Sequence, residues 1–464
     1  MTEDLALDDI TRCFEGAIPA VVATAAADGT PNITYLSRVR MVDRERVALS
    51  NQFFSKTARN LAENPRGSIL VIDPTNYDQF RLSVVYERTE RRGPVFDRLR
   101  EDVDALAALQ GMQDVFRLRA ADIYRVNHIE RVVTSAAVAV DAPLAPVPPD
   151  REPAVALDAV AQLAARLSRS ADLDVLVAAA VDGLAELFGY SQSLLLLLDE
   201  TGTRLFTIAS HGYDAQGVGS ELAVGDGIVG IAAARSAPIR IGNFRQMTKY
   251  SRSVRQAYEG QGELAFDRDI PFPDLPEVQS AVAVPALALG QLVGVLAVES
   301  TKPVAFTPLD EAILTVVAAV VANAVESDRA RELLDAPAAP APAVPAPAPF
   351  ANAGAATLVR FFPVDGSTFL DGDYLIKGVA GRILWALVAQ HEREGRTEFT
   401  NREVRLDPSL ELPEFRDNFE SRLILLKRRL DEREAPIRIE KTGRGRFRLL
   451  VETLLELDEV SSAG

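Results

Sequence analysis

Two segments rich in proline and alanine divide this chain more strongly than any other feature of its sequence. The first reads DAPLAPVPPDREP at 141–153, and the second reads APAAPAPAVPAPAP at 336–349. Such segments favour extended polyproline II and act as semi-rigid spacers. The chain has 464 residues, and a single domain usually has ~100–200, so we expect separate folded domains between the spacers. The expected divisions are 1–140, 154–335 and 356–455 as domains, 141–153 and 336–355 as linkers, and 456–464 as a disordered tail.

Composition limits the chemistry that the chain can perform. The net charge is −16 and the pI is about 4.9, so any nucleic-acid binding requires a local basic patch. A single cysteine, Cys13, excludes a disulfide within the chain and a cysteine-based zinc site. Only three histidines are present, and we expect no metal centre. Cys13 shares an apolar helix face with Ile10 and Phe14, which predicts that it is buried.

The sequence indicates a soluble, cytoplasmic protein without a membrane partner. Its N-terminus is acidic and polar and lacks the pattern of a signal peptide. The most apolar helical run, at 313–325, is too short to cross a bilayer.

The segment at 47–65, VALSNQFFSKTARNLAENP, combines a strand end with a helix start. The strand ends at Ser50 and Asn51, and the helix opens at Ser55, Lys56 and Thr57. Hydroxyl groups, an amide and a lysine next to free backbone N–H groups are typical of a phosphate site. The alternative is a capped helix without a ligand, with Ser55 as N-cap and Lys56 in solvent.

A hairpin turn at 28–37 and the short alternating strands around it predict a small β-barrel. Together with 47–65, this region resembles the FMN-binding split barrel of the pyridoxamine 5′-phosphate oxidase family. The resemblance implies a dimer that holds FMN between its subunits, although heme binding, deazaflavin binding and an empty barrel occur on the same fold. It implies the following cofactor residues: Ser50, Asn51, Ser55, Lys56 and Thr57.

The oxidase reaction itself is not expected. Substrate-binding enzymes of that family carry an Arg-x-His pair late in the barrel, whereas Arg125 and His128 are separated by two residues here. We therefore predict a structural role for His128 and no catalytic residue in the chain.

The middle segment begins with helical patterns at 154–168 and 173–188 and continues with strands, a glycine-rich turn at 225–230 and a final helix from Thr307. This order resembles a GAF domain, a sensory α/β fold, which implies a small-molecule effector in its pocket. The turn also fits G-x-G-x-x-G, but the helix after it is too short for a dinucleotide site. We expect 326–334 to contact a second subunit. The residues that carry the resemblance are Gly225, Gly227, Gly230, Pro238, Ser280, Pro285, Gly290, Gly294, Glu299, Phe306 and Asp310.

The last segment predicts helices at 379–392, 401–406 and 414–433, followed by a hairpin at 437–451. The sequences LKRRL at 426–430 and IEKTGRGRFRL at 439–449 resemble the winged helix of response-regulator transcription factors. The resemblance implies a helix in the DNA major groove and an arginine-bearing wing.

In the long helix, the apolar spacing predicts that Phe419, Leu423, Leu426 and Leu430 face the core and that basic residues face outward. The alternative is an interaction domain built on salt bridges, since acidic residues lie in the same helix. The predicted DNA-binding residues are Arg416, Arg422, Lys427 and Arg429 on the helix, and Arg444, Arg446 and Arg448 on the wing.

These patterns predict a multidomain α+β protein with a split barrel, a GAF domain and a winged helix-turn-helix. The leading hypothesis is a homodimeric one-component sensor and transcription regulator that converts a small-molecule or redox signal into DNA binding. The alternatives are an FMN-dependent oxidoreductase regulated by its GAF domain and a signalling scaffold that binds no DNA.

Overall fold

The computed structural model describes most of the chain. Both predicted linkers lie almost entirely outside the described residues, as do Arg416 and Arg444. The described residues are 5–14, 18–36, 38–51, 55–74, 76–109, 117–132, 152–170, 172–213, 217–242, 270, 272–273, 275, 277–334, 356–410, 419–443 and 445–460.

The N-terminal domain is an antiparallel sheet that curls into a half-barrel. Its strands are β1 (Ala20–Ala25), β2 (Pro31–Leu36), β3 (Val39–Met41), β4 (Arg46–Asn51), β5 (Arg66–Ile72), β6 (Gln79–Glu90) and β7 (Ala120–Val132). Their order in the sheet is β2-β1-β5-β6-β7-β4-β3. Side chains alternate between the two faces of each strand, and the inward set forms a core that includes Val22, Leu49, Leu82 and Tyr124.

Helices α1 (Ser55–Glu63) and α2 (Pro94–Leu109) cover parts of this sheet. Helix α1 packs against β1 and β2, and α2 packs against β4 and β7. Phe96 and Leu99 of α2 form a small apolar cluster with Ile123 of β7. Helix α2 therefore lies directly behind β4, the strand whose end was predicted to bind a cofactor.

Three local expectations for this domain need correction. The sequence pattern predicts one strand at 34–41, but the structure divides it into β2 and β3. The pattern predicts the last strand at 116–126, but this strand begins at Ala120 and runs to Val132. The N-terminal helix over Leu7–Phe14 is a 3-10 helix, with a non-helical backbone at Ile10. Cys13 is buried as predicted, and its burial raises the pKa of the thiol.

The middle domain is an antiparallel sheet with helices on both faces. Its strands are β8 (Gln192–Leu198), β9 (Arg204–His211), β10 (Glu221–Ala223), β11 (Ile239–Ile241), β12 (Ser280–Ala288) and β13 (Gln291–Ser300), in the order β10-β9-β8-β13-β12-β11. Its helices are α3 (Pro153–Ser168), α4 (Leu173–Phe188), α5 (Gly227–Arg235) and α6 (Pro308–Leu334). Helices α3, α4 and α6 share one core with the sheet, and α5 shares a second core with its other face. Burial on both faces explains the continuous apolar run in β8.

Helix α6 is longer than the apolar run seen in the sequence. It starts where expected, because Asp310 Oδ2 accepts a hydrogen bond from Thr307 N at 2.8 Å and Thr307 Oγ1 accepts one from Asp310 N at 3.3 Å. Within the described part of the chain, Pro308–Arg331 is one helix whose length and composition would suit a membrane span. Many of its apolar side chains, among them Leu314 and Val321, are buried in the core of the domain.

The C-terminal domain combines two small sheets with three packed helices among the described residues. One sheet has the order β16-β15-β14-β20, and the other has the order β17-β19-β18. Helix α9 packs on α7, β16 and β18. The elements are β14 (Thr357–Phe362), β15 (Ser367–Leu370), β16 (Asp373–Ile376), α7 (Gly378–Glu394), β17 (Glu398–Thr400), α8 (Asn401–Arg405), α9 (Phe419–Glu432), β18 (Ile437–Gly443), β19 (Arg446–Val451) and β20 (Leu455–Glu459).

The end of the chain is more ordered than the sequence indicates. Strand β20 pairs in parallel with β14, from Thr357 opposite Leu455 to Phe361 opposite Glu459. The prediction of a disordered tail is therefore wrong for 456–459. Acidic residues alternate with leucine in this segment, and the local sequence alone gives no partner strand.

Candidate functional site

The predicted cofactor site lies where β4 ends and α1 begins. Asn51 is the last residue of β4 and Ser55 the first of α1, while 52–54 and the Ser55 side chain lie outside the description. Lys56 is exposed on the first turn of α1. The start of a helix offers free backbone N–H groups to an anion. Lys56 and this turn thus have the chemistry expected of a phosphate site.

Ser50 and Asn51 are already used by the barrel itself. Ser50 is buried, and its Oγ accepts a hydrogen bond from Arg38 N at 3.1 Å. Asn51 Nδ2 donates to Asp122 Oδ2 at 2.9 Å. These two side chains fix the strand end and do not extend freely into solvent.

Thr57 is also part of the barrel's own hydrogen bonding. It is buried, and its Oγ1 accepts from Asn32 Nδ2 at 3.0 Å. One turn later, Asn60 Nδ2 donates to Thr24 Oγ1 at 3.1 Å. These bonds attach α1 to the hairpin of β1 and β2. Of the predicted residues whose side chains are described, Lys56 is the one exposed to solvent.

Sequence reasoning missed a buried polar cluster beside Asn51. Asp122 Oδ1 accepts a hydrogen bond from Thr89 Oγ1 at 2.5 Å, and Tyr86 OH lies 2.7 Å from Thr89 Oγ1. Burial raises the pKa of Asp122, and the hydrogen bonds from Thr89 and Asn51 oppose that rise only in part. The hydroxyl of Tyr124 is buried and has no hydrogen-bond partner among the described residues.

The signal for this cluster in the sequence is weak. Asp122 and Tyr124 are two residues apart on β7 and therefore share the inward face. The alternation alone does not identify the partners, because Thr89 and Asn51 come from distant positions in the chain. The cluster lies within the barrel core and supplies internal order next to the predicted site.

A second missed feature is an ion cluster behind β4. Asp102 of α2 contacts Arg38 Nε at 3.4 Å and Arg40 Nη1 at 2.9 Å. Burial alone would raise the pKa of Asp102, but the charges of Arg38 and Arg40 outweigh it and the net pKa is lowered. Arg38 also contacts Ser50 through its backbone. The cluster therefore links β4 to α2.

The groups described above can be compared with those that the phosphate of FMN requires. Lys56 and the first turn of α1 would hold the phosphate, and a bound flavin would supply a redox-sensitive ring system. Asn51 and Thr57 fit a supporting role, because each keeps its hydrogen bond to the barrel. The donor set thus fits the phosphate of FMN through one exposed cation and the backbone.

The glycine-rich turn of the middle domain is closed by its own hydrogen bonds. Gly225 N donates to Gly230 O at 2.8 Å, and Gly230 N donates to Asp226 O at 2.8 Å. A Cβ at Gly230 would lie 2.5 Å from Ala223 O, so only glycine fits there. This geometry agrees with the start of a GAF helix. Helix α5 then places Ile228 and Val229 in the apolar core on the face of the sheet that α5 covers.

His128 of the barrel and His211 of the middle domain both have ordinary surroundings. His128 is exposed on β7, opposite Ser83 of β6. His211 Nδ1 lies 2.9 Å from Asp182 Oδ1. Neither contact resembles a catalytic arrangement with a nucleophile.

Arg422 and Lys427 of α9 were predicted to point into solvent, but both contact the middle domain. Arg422 pairs with Glu200 of the middle domain and lies over the ring of Phe206, 4.0 Å from its centroid. Lys427 Nζ lies 3.3 Å from Asp174 Oδ2. The expected core residues are buried as predicted, namely Phe419, Leu423, Leu426 and Leu430.

Arg429 is buried and structural. Its Nε donates to Leu375 O at 3.0 Å, and its Nη1 donates to Glu432 Oε2 at 2.7 Å. The expectation that Arg429 reaches outward is wrong, because the position of α9 on β16 turns this side chain inward. Arg428, which was not predicted, faces the middle domain instead, with Nε 2.8 Å from Asp174 Oδ1.

The wing residues are exposed as expected from their alternation in β19. Arg446 and Arg448 are both exposed, and Arg448 Nε lies 2.5 Å from Glu398 Oε1. Phe447 between them is buried and stacks on Phe399. Arg446 is therefore the clearest solvent-facing basic side chain of this hairpin among the described residues.

Similar proteins cover separate parts of the chain. An uncharacterized protein of Methanocaldococcus jannaschii is 31% identical over 61 residues, which are 13% of this chain and 40% of that protein. The chain thus spans 40% of the length of this curated relative. The GAF domain of an Acinetobacter phosphoenolpyruvate-protein phosphotransferase is 21% identical, covers 38% of this chain and 94% of its own, and has a TM-score of 0.31. An FMN-binding protein from Syntrophomonas wolfei is 21% identical over 28% of this chain and 92% of its own, with a TM-score of 0.23.

Family models match the first two domains. Residues 7–127 match the model described as pyridoxamine 5′-phosphate oxidase, and residues 172–325 match the model described as GAF domain. Both matches agree with the curled sheet and the two-sided sheet described above. The chain therefore contains an N-terminal domain like that of pyridoxamine 5′-phosphate oxidase, followed by a GAF domain.

Proposed function

We propose that this chain is a soluble, cytoplasmic one-component sensor whose C-terminal domain regulates transcription by binding DNA. The observation that carries the proposal is the central position of the GAF domain. Arg98 of α2 contacts Glu311 of α6 on one side, and Arg428 of α9 contacts Asp174 of α4 on the other. A signal in the GAF domain therefore has a direct contact route to the C-terminal domain, and a signal in the barrel has a route through the GAF domain.

The input is a small molecule or a redox change. In the barrel, FMN would bind with its phosphate at Lys56 and the start of α1, and heme is the alternative ligand. In the GAF domain, an effector would bind on the side of the sheet covered by α5. Both sites adjoin the contact between the barrel and the GAF domain, since α2 lies behind β4 and α5 packs against α2.

The output rests on the architecture of the C-terminal domain. Its sheet, its helices and its closing hairpin follow one another in the order expected of a winged helix. Arg446 and Arg448 are exposed on the hairpin and are suited to phosphate contacts. An acidic protein needs such a local basic surface to bind DNA.

The proposed homodimer is supported by exposed apolar side chains. Ile33 and Tyr35 are 68% and 74% exposed on β2, at the edge of the barrel sheet, and Val316 is 47% exposed on α6. Exposed apolar surface of this kind commonly marks an association surface. A dimer would present two C-terminal domains to a palindromic site.

Binding of the full chain to labelled duplex DNA tests the output. We expect the affinity to fall as salt rises, and Arg446→Gln to reduce the slope of log K against log salt by about one. Arg131→Gln, on the barrel surface, provides a matched control that should leave binding unchanged. A flat salt response would remove DNA binding from the proposal, whereas an Arg446→Gln curve identical to that of the wild type would remove the wing from the DNA contact.

The absorption spectrum of the purified protein tests the input. Flavin bands would support a redox sensor, a Soret band would support heme, and a colourless protein would assign sensing to the GAF domain. Turnover of bound flavin with a reduced nicotinamide would instead favour the oxidoreductase.

A further inference from the structure

The basic side of α9 is covered by acidic groups of the GAF domain. Arg428 makes the densest contact, with Nε 2.8 Å from Asp174 Oδ1, Nη2 2.9 Å from Asp174 O and Nη1 2.9 Å from Ile208 O. Lys427 adds a second positive charge 3.3 Å from the same carboxylate. Each of the three nitrogens of the Arg428 guanidinium thus donates one hydrogen bond to α4 or β9 of the GAF domain.

A second contact lies one and a half turns earlier on α9. Arg422 pairs with Glu200, and its guanidinium group stacks on Phe206. Only 13% of the Arg422 side chain is exposed. An arginine held by both a carboxylate and an aromatic face is attached more firmly than a surface ion pair. We call these contacts the α9–GAF interface, defined by Arg422, Lys427 and Arg428 on α9 and by Asp174 and Glu200 on the GAF domain.

Apolar contacts lie beside the charged ones. A Cβ at Gly219 would lie 3.7 Å from Leu425 and 3.9 Å from Ile376, and both of these side chains are buried. Lys377 Nζ also lies 3.4 Å from Glu221 Oε2. The contact between the domains therefore extends from α9 to β10. The GAF domain and the C-terminal domain also share one continuous apolar core.

The positive charges of α9 also change the pKa of Asp174. Burial would raise the pKa of Asp174, but the charges of Arg428 and Lys427 outweigh it and the net pKa is lowered. Asp174 is therefore ionised at neutral pH, as the interface requires.

We propose that the α9–GAF interface is autoinhibitory: Asp174 and Glu200 occupy the basic side of α9 and exclude DNA phosphates from it. This inference rests on the proposed DNA-binding function and adds the means of its regulation. Carboxylates and phosphates compete for the same guanidinium donors. The helix cannot enter a DNA groove while this side contacts α4 and β9. A signal that moves β9 or α4 would release it.

The size of the inhibition of DNA binding depends on the fraction of molecules in which the α9–GAF interface is open. When only a fraction of molecules is competent to bind, the apparent dissociation constant rises by the inverse of that fraction. If about one molecule in ten is open, full release increases the apparent DNA affinity about tenfold.

The double variant Asp174→Asn and Glu200→Gln in the full chain tests the proposal. It changes only the GAF side, so the basic residues of α9 and the wing remain intact. Glu186→Gln, also on α4 but paired with Arg166 at the surface, is the matched control. Affinity for a random-sequence duplex is measured at one fixed salt concentration, and hydrogen exchange of the α9 amides reports whether the helix is released.

We expect faster exchange in α9 and about tenfold tighter DNA binding in the double variant, with wild-type values for Glu186→Gln. Measurable but equal DNA affinity in the wild type and the double variant would overturn the inhibitory role and leave DNA binding intact. Released α9 without any DNA binding would overturn the DNA-binding function itself. Unchanged exchange in α9 would show that Asp174 and Glu200 do not hold the interface, and would also overturn the proposal.

Discussion

Arg98 Nη2 donates a hydrogen bond to Glu311 Oε1 at 2.5 Å and thereby joins the barrel to the GAF domain. Its Nη1 donates to Pro238 O at 2.8 Å, and Arg240 Nε contacts the other oxygen of Glu311 at 3.2 Å. Glu311 lies in the first turn of α6. One carboxylate thus serves two arginines from two domains, at the start of the longest helix of the molecule's described part.

Glu311→Gln should weaken this junction. The change removes a charged partner of Arg240, whose side chain is 6% exposed, and we expect a loss of about 2–3 kcal/mol in the free energy of unfolding. Chemical denaturation of the full chain measures this loss. Glu326→Gln on the same helix is the control, since its pair with Arg329 is more exposed and should contribute about 0–1 kcal/mol. Equal effects of the two variants would contradict the central role of Glu311.

Asp102→Asn should destabilise the barrel by about 3–5 kcal/mol, because it removes the buried carboxylate that contacts both the buried Arg38 and the partly exposed Arg40. The pKa of Asp102 is lowered in the folded state. Its contribution is therefore fully present above its ordinary pKa of 3.8 and is lost as the pH falls through the lower folded value. Denaturation curves of the two proteins should converge on acidification. A constant difference across this range would show that the ionised carboxylate is not the stabilising group.

Asp122 should make the stability of the barrel depend on pH in the opposite direction, and Asp122→Asn should remove that dependence. Burial raises the pKa of Asp122, so the folded state holds its proton more firmly than the unfolded state does. Stability should therefore fall as the pH rises above the ordinary value of 3.8 and become constant above the raised folded pKa. Asparagine removes this decline while keeping a side-chain oxygen for Thr89. Unfolding measured between acidic and neutral pH should show a flatter profile for the variant, and an unchanged profile would contradict the assignment.

Lys56→Glu should weaken FMN binding by about tenfold or more, the loss expected when one charge-assisted contact is removed and a repulsive charge is added. Titration of the apoprotein with FMN and with riboflavin measures the effect. Riboflavin lacks the phosphate, so its affinity should not change. Arg59→Glu, also exposed on α1, is the matched control for net charge. Equal losses for FMN and riboflavin would place the phosphate elsewhere.

Gly230→Ala should destabilise the GAF domain by about 2–3 kcal/mol, since the added Cβ would come 2.5 Å from Ala223 O, a backbone atom that cannot move independently. Thermal unfolding of the full chain followed by circular dichroism measures the change. At Gly443 an added Cβ meets no heavy atom within 4 Å, so Gly443→Ala should change stability by less than about 0.5 kcal/mol. Wild-type stability of Gly230→Ala would show that the turn opens at little cost.

The sequence by itself determined the local elements and their buried sides. Helix Leu173–Phe188 has the predicted bounds, and Phe419 and Leu430 are buried as their spacing indicates. The turn at Gly230 and the helix start at Thr307 could also be predicted, because each depends on residues a few positions apart. Periodicity and capping are local properties, and the sequence displays them directly.

Only the tertiary structure decided what covers the polar sides of those elements. Spacing assigned Arg422 and Lys427 to solvent, yet their partners are Glu200 and Asp174, more than 200 positions away. The cluster around Asp122 and the strand β20 were missed for the same reason. A helix pattern separates apolar from polar faces, but the partner of a polar face depends on how domains and strands meet in space.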